Sequence, residues 1–292
     1  MTRPLIVVES PDDPRIQTFR LRERELRPRR VPERVRRGMR PEDLERIDPG
    51  LFVAEGDLVV ERALAAGHRP RAVLTDADRP SPIALSMPTD IDIFAASAEA
   101  RRMLTGLGVA LDVIALFERS PLPDLREVIE SARRVVIAER IDNPTNIGAM
   151  VRSAVALGAE AFVLDQESSD PLARRALRVS MGTSFMLPHT RVPSITDLVV
   201  DLNTRGFTTC ALTPDPSASA IDDVARRLDP GTRVAIVLGS ERDGLTEETM
   251  RAVSHRVRIP MAEPVDSLNV AAAAAVACHA LFGPSRGDRS GQ

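Results

Sequence analysis

Ile259-Pro-Met-Ala-Glu-Pro-Val-Asp-Ser-Leu-Asn-Val-Ala-Ala-Ala-Ala-Ala-Val-Ala277 is the stretch on which the reading of the fold turns. It opens as the end of a strand, at Val257 and Ile259, and is stopped by Pro260 and Pro264. Asp266-Ser267 then offers a side-chain oxygen to the free N–H groups of a first helical turn. The helix expected from Leu268 to Leu281 is apolar on nearly every face, the pattern of a helix buried all round. Its alanines let another backbone approach closely. A loop of fixed geometry directly before a core helix can hold backbone N–H and C=O groups open to a small ligand; the bland alternative is a plain loop before a core helix.

Working outward, the chain has 292 residues, which suggests about two domains at ~150 residues each. It is 43% hydrophobic, enough for real cores. With eight Phe and no Trp or Tyr, base stacking on aromatic platforms is not expected to be the main mode of any nucleic-acid binding. All 39 basic residues are Arg. Residues 1–40 carry 12 Arg against 6 acids, a balance of +6, so the remainder carries −9 of the net −3. A basic arm on an acidic body suits a polyanion partner, and equally a solvated N-terminus. Cys210 and Cys278 sit inside apolar segments and read as small buried hydrophobes. The four His lack ligand spacing, so no metal is expected. No membrane span or signal peptide is visible, and the chain is expected to be cytoplasmic.

Residues 1–48 read as a basic N-terminal extension of short helices and loops without a packed core. A small α/β unit follows at 49–119, with strands at Phe52–Gly56, Arg71–Thr75, Ile91–Phe94 and Val113–Phe117 and a helix opened by Asp57. Ser120-Pro-Leu-Pro-Asp124 marks a linker, 120–128. From 129 to 283 the strands are continuous apolar runs, as buried parallel strands are: Val135–Ala138, Ala161–Leu164, Thr208–Leu212, Val234–Leu238 and Val257–Ile259. Helices fall between them, at Ile147–Leu157, Leu172–Val179, Ile195–Asn203 and Glu247–Val253. This alternation predicts a parallel, doubly wound α/β sheet. Residues 284–292 form a tail.

Two further clusters carry chemistry. Asp142-Asn-Pro-Thr-Asn-Ile-Gly-Ala-Met-Val-Arg152 follows a strand and opens a helix. Arg152 shares its helical face with Gly148, Ala149 and Ala156, a floor of small residues that leaves room for a substrate; a solvated Arg is the alternative. Asn146 stands at the helix entrance, where a capping role is equally natural. Val237-Leu-Gly-Ser-Glu-Arg-Asp-Gly-Leu245 also follows a buried strand. Its Gly239 and Gly244 permit sharp turns, and Glu241 lies at the C-terminal end of a parallel strand, where open α/β sheets place ligands. The Gly-x-Gly-x-x-Gly dinucleotide spacing and the Gly-x-Ser-x-Gly elbow are both absent.

Together the three clusters resemble the signature of the SpoU–TrmH branch of the SPOUT, or trefoil-knot, RNA methyltransferases. Asn146, Gly148 and Arg152 match its first motif, Asn-x-Gly-x-x-x-Arg. Gly239, Glu241 and Gly244 match the second, Gly-x-Glu-x-x-Gly. Ile259 to Met261 and Ser267 to Val270 match the third, Ile-Pro-Met followed by Ser-Leu-Asn-Val. Arg174-Arg-Ala-Leu-Arg-Val-Ser-Met-Gly182 looks like the segment between the first two motifs, and residues 51–118 resemble the ribosomal-protein-like substrate-binding domain of many members. The sequence departs at Ala271, where the family commonly has Ser, and at Ala262-Glu263-Pro264, where a Gly is common. Val109-Ala-Leu-Asp112 stands in place of a His-Arg-Gly-like turn.

The resemblance implies a SPOUT domain with a deep trefoil knot after a small ribosomal-protein-like α/β domain. It implies methyl transfer from S-adenosylmethionine to a ribose 2′-OH, with Arg152, Asn146, Glu241 and Asn269 as the catalytic set. By the same resemblance Leu238, Gly239, Ile259, Met261, Leu268 and Val270 hold the cofactor, and the catalytic domains pair as a homodimer. The RNA is expected to be ribosomal more than transfer RNA, contacted in part by the basic arm. Arg152 either acts as general base or stays cationic, since a guanidinium has a pKa above ~12. Glu241 is a candidate to orient it. The rival readings are a tRNA ribose methyltransferase, a non-catalytic RNA-binding relative and a base methyltransferase of the same superfamily.

Overall fold

The computed structural model describes residues 4–27, 50–106, 108–262 and 267–283. Two units are distinguished by their internal packing, Met1–Pro121 with Leu172–Phe185, and Leu122–Pro171 with Met186–Gln292.

The first unit carries a five-stranded sheet of β1 (Ile6–Val8), β2 (Leu51–Glu55), β3 (Pro70–Asp76), β4 (Asp92–Ala96) and β5 (Val113–Glu118), in the order β1-β4-β3-β5-β2. β1, β4 and β3 run parallel, and β5 is antiparallel to both β3 and β2. Alternate residues of β5 serve opposite faces, Val113, Ala115 and Phe117 in one core cluster and Ile114 and Leu116 in the other, as the period of two requires.

Two expectations are corrected here. Residues before 49 do take part in a core: Ile6–Val8 adds an edge strand, and Ile16, Phe19 and Leu26 are buried. A few apolar anchors spaced among charges suffice once an existing sheet offers a face to cover. The most basic part of the expected arm, 28–49, lies outside the described residues, as does the tail. Residues 172–185 pack within the first unit, although they fall inside the span expected of the second domain. Leu172, Leu177 and Phe185 join its apolar core. Arg178 Nη1 donates to Glu55 Oε2 at 2.9 Å, and Arg174 lies 3.6 Å from Oε1.

The second unit is a seven-stranded, wholly parallel sheet. Its strands are β6 (Arg134–Glu139), β7 (Ala161–Leu164), β8 (His189–Arg191), β9 (Phe207–Leu212), β10 (Ser219–Ala220), β11 (Arg233–Gly239) and β12 (His255–Arg258), in the order β10-β12-β9-β11-β6-β7-β8. The central runs VVIA and VAIVL are buried on both faces. Val136, Ala138, Ile236 and Leu238 meet the helices Pro144–Ala156, Ile221–Arg227 and Val270–Phe282. Val135, Ile137, Ala235 and Val237 meet Leu125–Ile129 and Ile195–Thr204. The result is the helix–sheet–helix layering expected of parallel strands. β8 and β10 are additions to the expected set; at three and two residues they are too short to show a period.

The C-terminal helix runs Val270–Phe282. It is not buried all round. Ala274, Ala277, Cys278 and Leu281 are in the core, but Ala272, Val276 and His279 are exposed along one line. An apolar face in the sequence requires only that something cover it, not that this chain does. No described helix is long and apolar enough to cross a membrane.

Candidate functional site

The C-terminal ends of β9, β11 and β12 open into a cavity of about 430 Å³. This is the edge at which a parallel sheet leaves backbone groups free and at which open α/β sheets bind ligands. All six residues expected to hold a cofactor line it: Leu238, Gly239, Ile259, Met261, Leu268 and Val270. Glu241 lines it as well.

Each cluster reaches this edge for a local reason. After β6, Asn143 caps the Pro144–Ala156 helix by accepting from Thr145 N, with Pro144 in the first turn. This leaves Asn146 free of capping duty, and it lies buried one turn in. After β11, the chain turns back on itself through Gly239 to Gly244. Gly244 N donates to Ser240 O at 3.1 Å, and Gly244 takes a φ of 67°. A Cβ on Gly239 would fall on the backbone of Gly244 and Leu245, so the turn closes only on glycine. Before the last helix the cap is Asn269, whose side chain accepts from Ala271 N at 3.0 Å. The expected Asp266-Ser267 cap is replaced by this residue, and Asp266 lies outside the described residues.

Asn269 joins the three clusters. Its Nδ2 donates to Asn146 Oδ1 at 3.0 Å and to Glu241 Oε1 at 2.6 Å. One amide therefore ties the first motif to the second while its oxygen caps the third. Arg152 stands outside this trio, exposed on the helix that carries Asn146. Glu241 accepts from Asn269 through Oε1.

Leu212, Thr213, Pro214, Met250 and Ala273 also line the cavity and were not singled out from the sequence. The signal for the first three was present, a buried strand stopped by Thr-Pro. That β9 neighbours β11 was not readable from order along the chain. Next to them, Asp215 is held below the usual carboxylate range by the Ser217 N–H and hydroxyl. The thiols Cys210 and Cys278 are pushed up to about 12 by burial, which excludes them as nucleophiles at neutral pH. Among the described residues no group of three or more His, Cys, Asp or Glu is placed to hold a metal ion.

Fold and site define an α/β protein with a small-molecule pocket at a glycine turn, walled by apolar side chains and including Glu241 of the Asn–Asn–Glu cluster in its lining. The SpoU rRNA Methylase family matches residues 133–279. A similar relative is an uncharacterized tRNA/rRNA methyltransferase of Mycobacterium bovis, 34% identical over 276 residues, 91% of this chain and 88% of that one. The 23S rRNA (guanosine(2553)-2′-O)-methyltransferase RlmP of Bacillus subtilis is 25% identical, over 82% of this chain and 91% of its own. Among solved structures, the SpoU methyltransferase AviRb of Streptomyces viridochromogenes in complex with AdoMet superposes with a TM-score of 0.70 at 25% identity, covering 92% of this chain and 97% of that one. The chain belongs to the SpoU rRNA methylase family.

Proposed function

We propose that this protein transfers a methyl group from S-adenosylmethionine to a ribose 2′-oxygen of ribosomal RNA. The observation that carries the reading is the Asn269 bridge between Asn146 and Glu241, standing at the rim of a pocket whose lining includes every residue expected to hold the cofactor. The pocket suits that cofactor. Its volume falls within the ~300–1,000 Å³ of small-molecule sites. Leu238, Ile259, Met261, Leu268 and Val270 offer apolar walls, and the turn from Gly239 offers backbone donors and acceptors beside them.

When bound, S-adenosylmethionine supplies an activated methyl group on a sulfonium leaving group. The chain supplies placement and charge. The sulfonium sulfur would keep the electron pair of the methyl bond that breaks as the ribose oxygen took the methyl, and the hydroxyl would give up its proton to solvent. Arg152, cationic at any working pH, stabilises the developing negative oxygen or the neighbouring phosphate. Asn146 and Asn269 fix the loops around the reacting atoms, and Glu241 anchors Asn269. These roles make Arg152, Asn146, Glu241 and Asn269 the catalytic set of the proposal.

The reading includes the family's knotted path. After β11 the chain passes β9 to reach β12, and the Val270–Phe282 helix returns against Pro144–Ala156. It also includes a homodimer, for which the exposed line of Ala272, Val276 and His279 offers a surface. The small N-terminal α/β unit and the basic segment before residue 40 favour a large folded RNA, and ribosomal RNA places the reaction in the cytoplasm.

The test is methyl transfer from labelled S-adenosylmethionine to ribosomal and transfer RNA fractions lacking native modifications, with wild type and Arg152→Ala side by side. Label in ribosomal RNA, lost in the variant and mapped to an alkali-resistant dinucleotide, is the expected result. Label in transfer RNA alone moves the substrate class. Label at an alkali-sensitive nucleotide turns the reading to base methylation. A protein that binds RNA but no cofactor is a non-catalytic relative.

A further inference from the structure

We propose that Glu139 and Arg140, consecutive residues at the end of β6, are positioning residues that hold the Gly239–Leu245 turn in its cofactor-binding shape. The inference rests on the reading of the pocket as an S-adenosylmethionine site.

Glu139 is 5% exposed and pairs in register with Gly239 across the β6–β11 ladder. Its carboxylate accepts from Thr246 N at 2.9 Å through Oε2 and from Thr249 Oγ1 at 2.9 Å through Oε1, with Thr246 Oγ1 3.1 Å away. Thr246 is the residue at which the turn ends and the Glu247–Ala252 helix begins. That helix already has its cap, because Thr246 Oγ1 accepts from Thr249 N. The added bond from Glu139 to the Thr246 N–H therefore fixes where the turn leaves the sheet.

Arg140 holds the same turn two residues earlier. Its Nη2 donates to Gly244 O at 3.4 Å. It does so from a left-handed backbone conformation, φ 55°, that a non-glycine residue keeps only where neighbours over-determine it. Asp165 supplies that constraint, with Oδ2 accepting from Arg140 N at 2.8 Å and Oδ1 from Ser168 N at 2.7 Å. Ser168 Oγ in turn accepts from Ile141 N at 3.0 Å. The strained residue thus sits between the strand that precedes Asn146 and the turn that carries Glu241. Its guanidinium faces a backbone carbonyl of the cofactor pocket, because Gly244 lines that pocket. Nε of Arg140 is buried without a partner.

The experiment measures S-adenosylmethionine affinity and KM, RNA affinity and melting temperature for wild type, E139L, E139Q and R140L. E139L leaves the Thr246 N–H without its acceptor and is expected to weaken cofactor binding about ten-fold, with KM for the cofactor raised in step and RNA affinity unchanged. E139Q restores binding, because its amide oxygen can accept from Thr246 N while its NH₂ meets the two hydroxyls. R140L shifts cofactor KM in the same direction and keeps the inference testable should E139L fail to fold. An E139L or R140L protein that melts earlier yet binds the cofactor as wild type does would overturn the proposal, since the pair would then only stabilise the fold. Wild-type protein that binds no S-adenosylmethionine overturns the pocket reading itself, an outcome separate from equal binding by wild type and variants.

Discussion

Asn269 donates through one amide nitrogen to both Asn146 Oδ1 and Glu241 Oε1 while its own Oδ1 caps the last helix. The bridge and the cap use different atoms of one side chain, so substitutions can separate them. Asn269→Asp keeps the capping oxygen but sets a second carboxylate oxygen against Glu241. Methyl transfer is expected to fall at least about ten-fold, while stability changes by less than the ~1 kcal/mol of a lost cap. Asn269→Ala loses both, and melts earlier by that amount. Thermal melts run beside initial rates separate the two effects; equal rates for Asn269→Asp and wild type would sink the bridging role.

Gly239→Ala is the sharpest test of the turn. The added Cβ meets the backbone of Gly244 and Leu245, and backbone cannot swing aside as a side-chain tip does. Overpacking of this kind costs ~1–3 kcal/mol. The variant is expected to fold yet lose measurable S-adenosylmethionine binding by calorimetry. Unchanged affinity would mean that the cofactor does not use this turn.

Burial holds the thiols of Cys210 and Cys278 up to about 12, against an ordinary value of 9.0. Below 9 both are protonated in folded and unfolded chains alike, and stability is indifferent to them. Between 9 and about 12 the unfolded chain releases protons that the folded one keeps, so stability falls as pH rises through that window. Native protein is expected to resist a thiol reagent at pH 8 and to react only as it unfolds. Rapid labelling of native protein would show a thiolate that this packing does not allow.

Val276 is 39% exposed, between Ala272 and His279 on the exposed line of the last helix. Val276→Glu places a charge at the centre of that line. If the homodimer forms there, the variant elutes as a monomer in size-exclusion chromatography with its melting temperature little changed, as surface substitutions usually shift stability by under ~0.5 kcal/mol. A variant that remains dimeric moves the interface elsewhere.

Arg152 is exposed, so Arg152→Ala is likewise expected to leave stability within ~0.5 kcal/mol of wild type while methyl transfer is lost. A loss of both would make Arg152 a structural residue.

Much of this protein was determined by its sequence alone. Runs such as Val234–Leu238 have no polar face, so both sides must be covered, and parallel strands between helices follow. Gly239–Gly244 fixes its turn locally, through a close approach that only glycine permits. The spacing within each motif therefore places Asn146, Glu241 and Asn269 at element ends. What the sequence could not hold was the lateral order of strands, because hydrogen bonds between β9 and β11 or β6 and β11 join residues far apart along the chain and leave no period behind. That order brings Thr213 and Pro214 to the pocket and sets Glu139 beside Gly239. It was also the tertiary structure that assigned capping to Asn143 and Asn269 and released Asn146 for the bridge. An Asn side chain carries the same donors and acceptors in every context, and only the neighbours it meets decide which of them it uses.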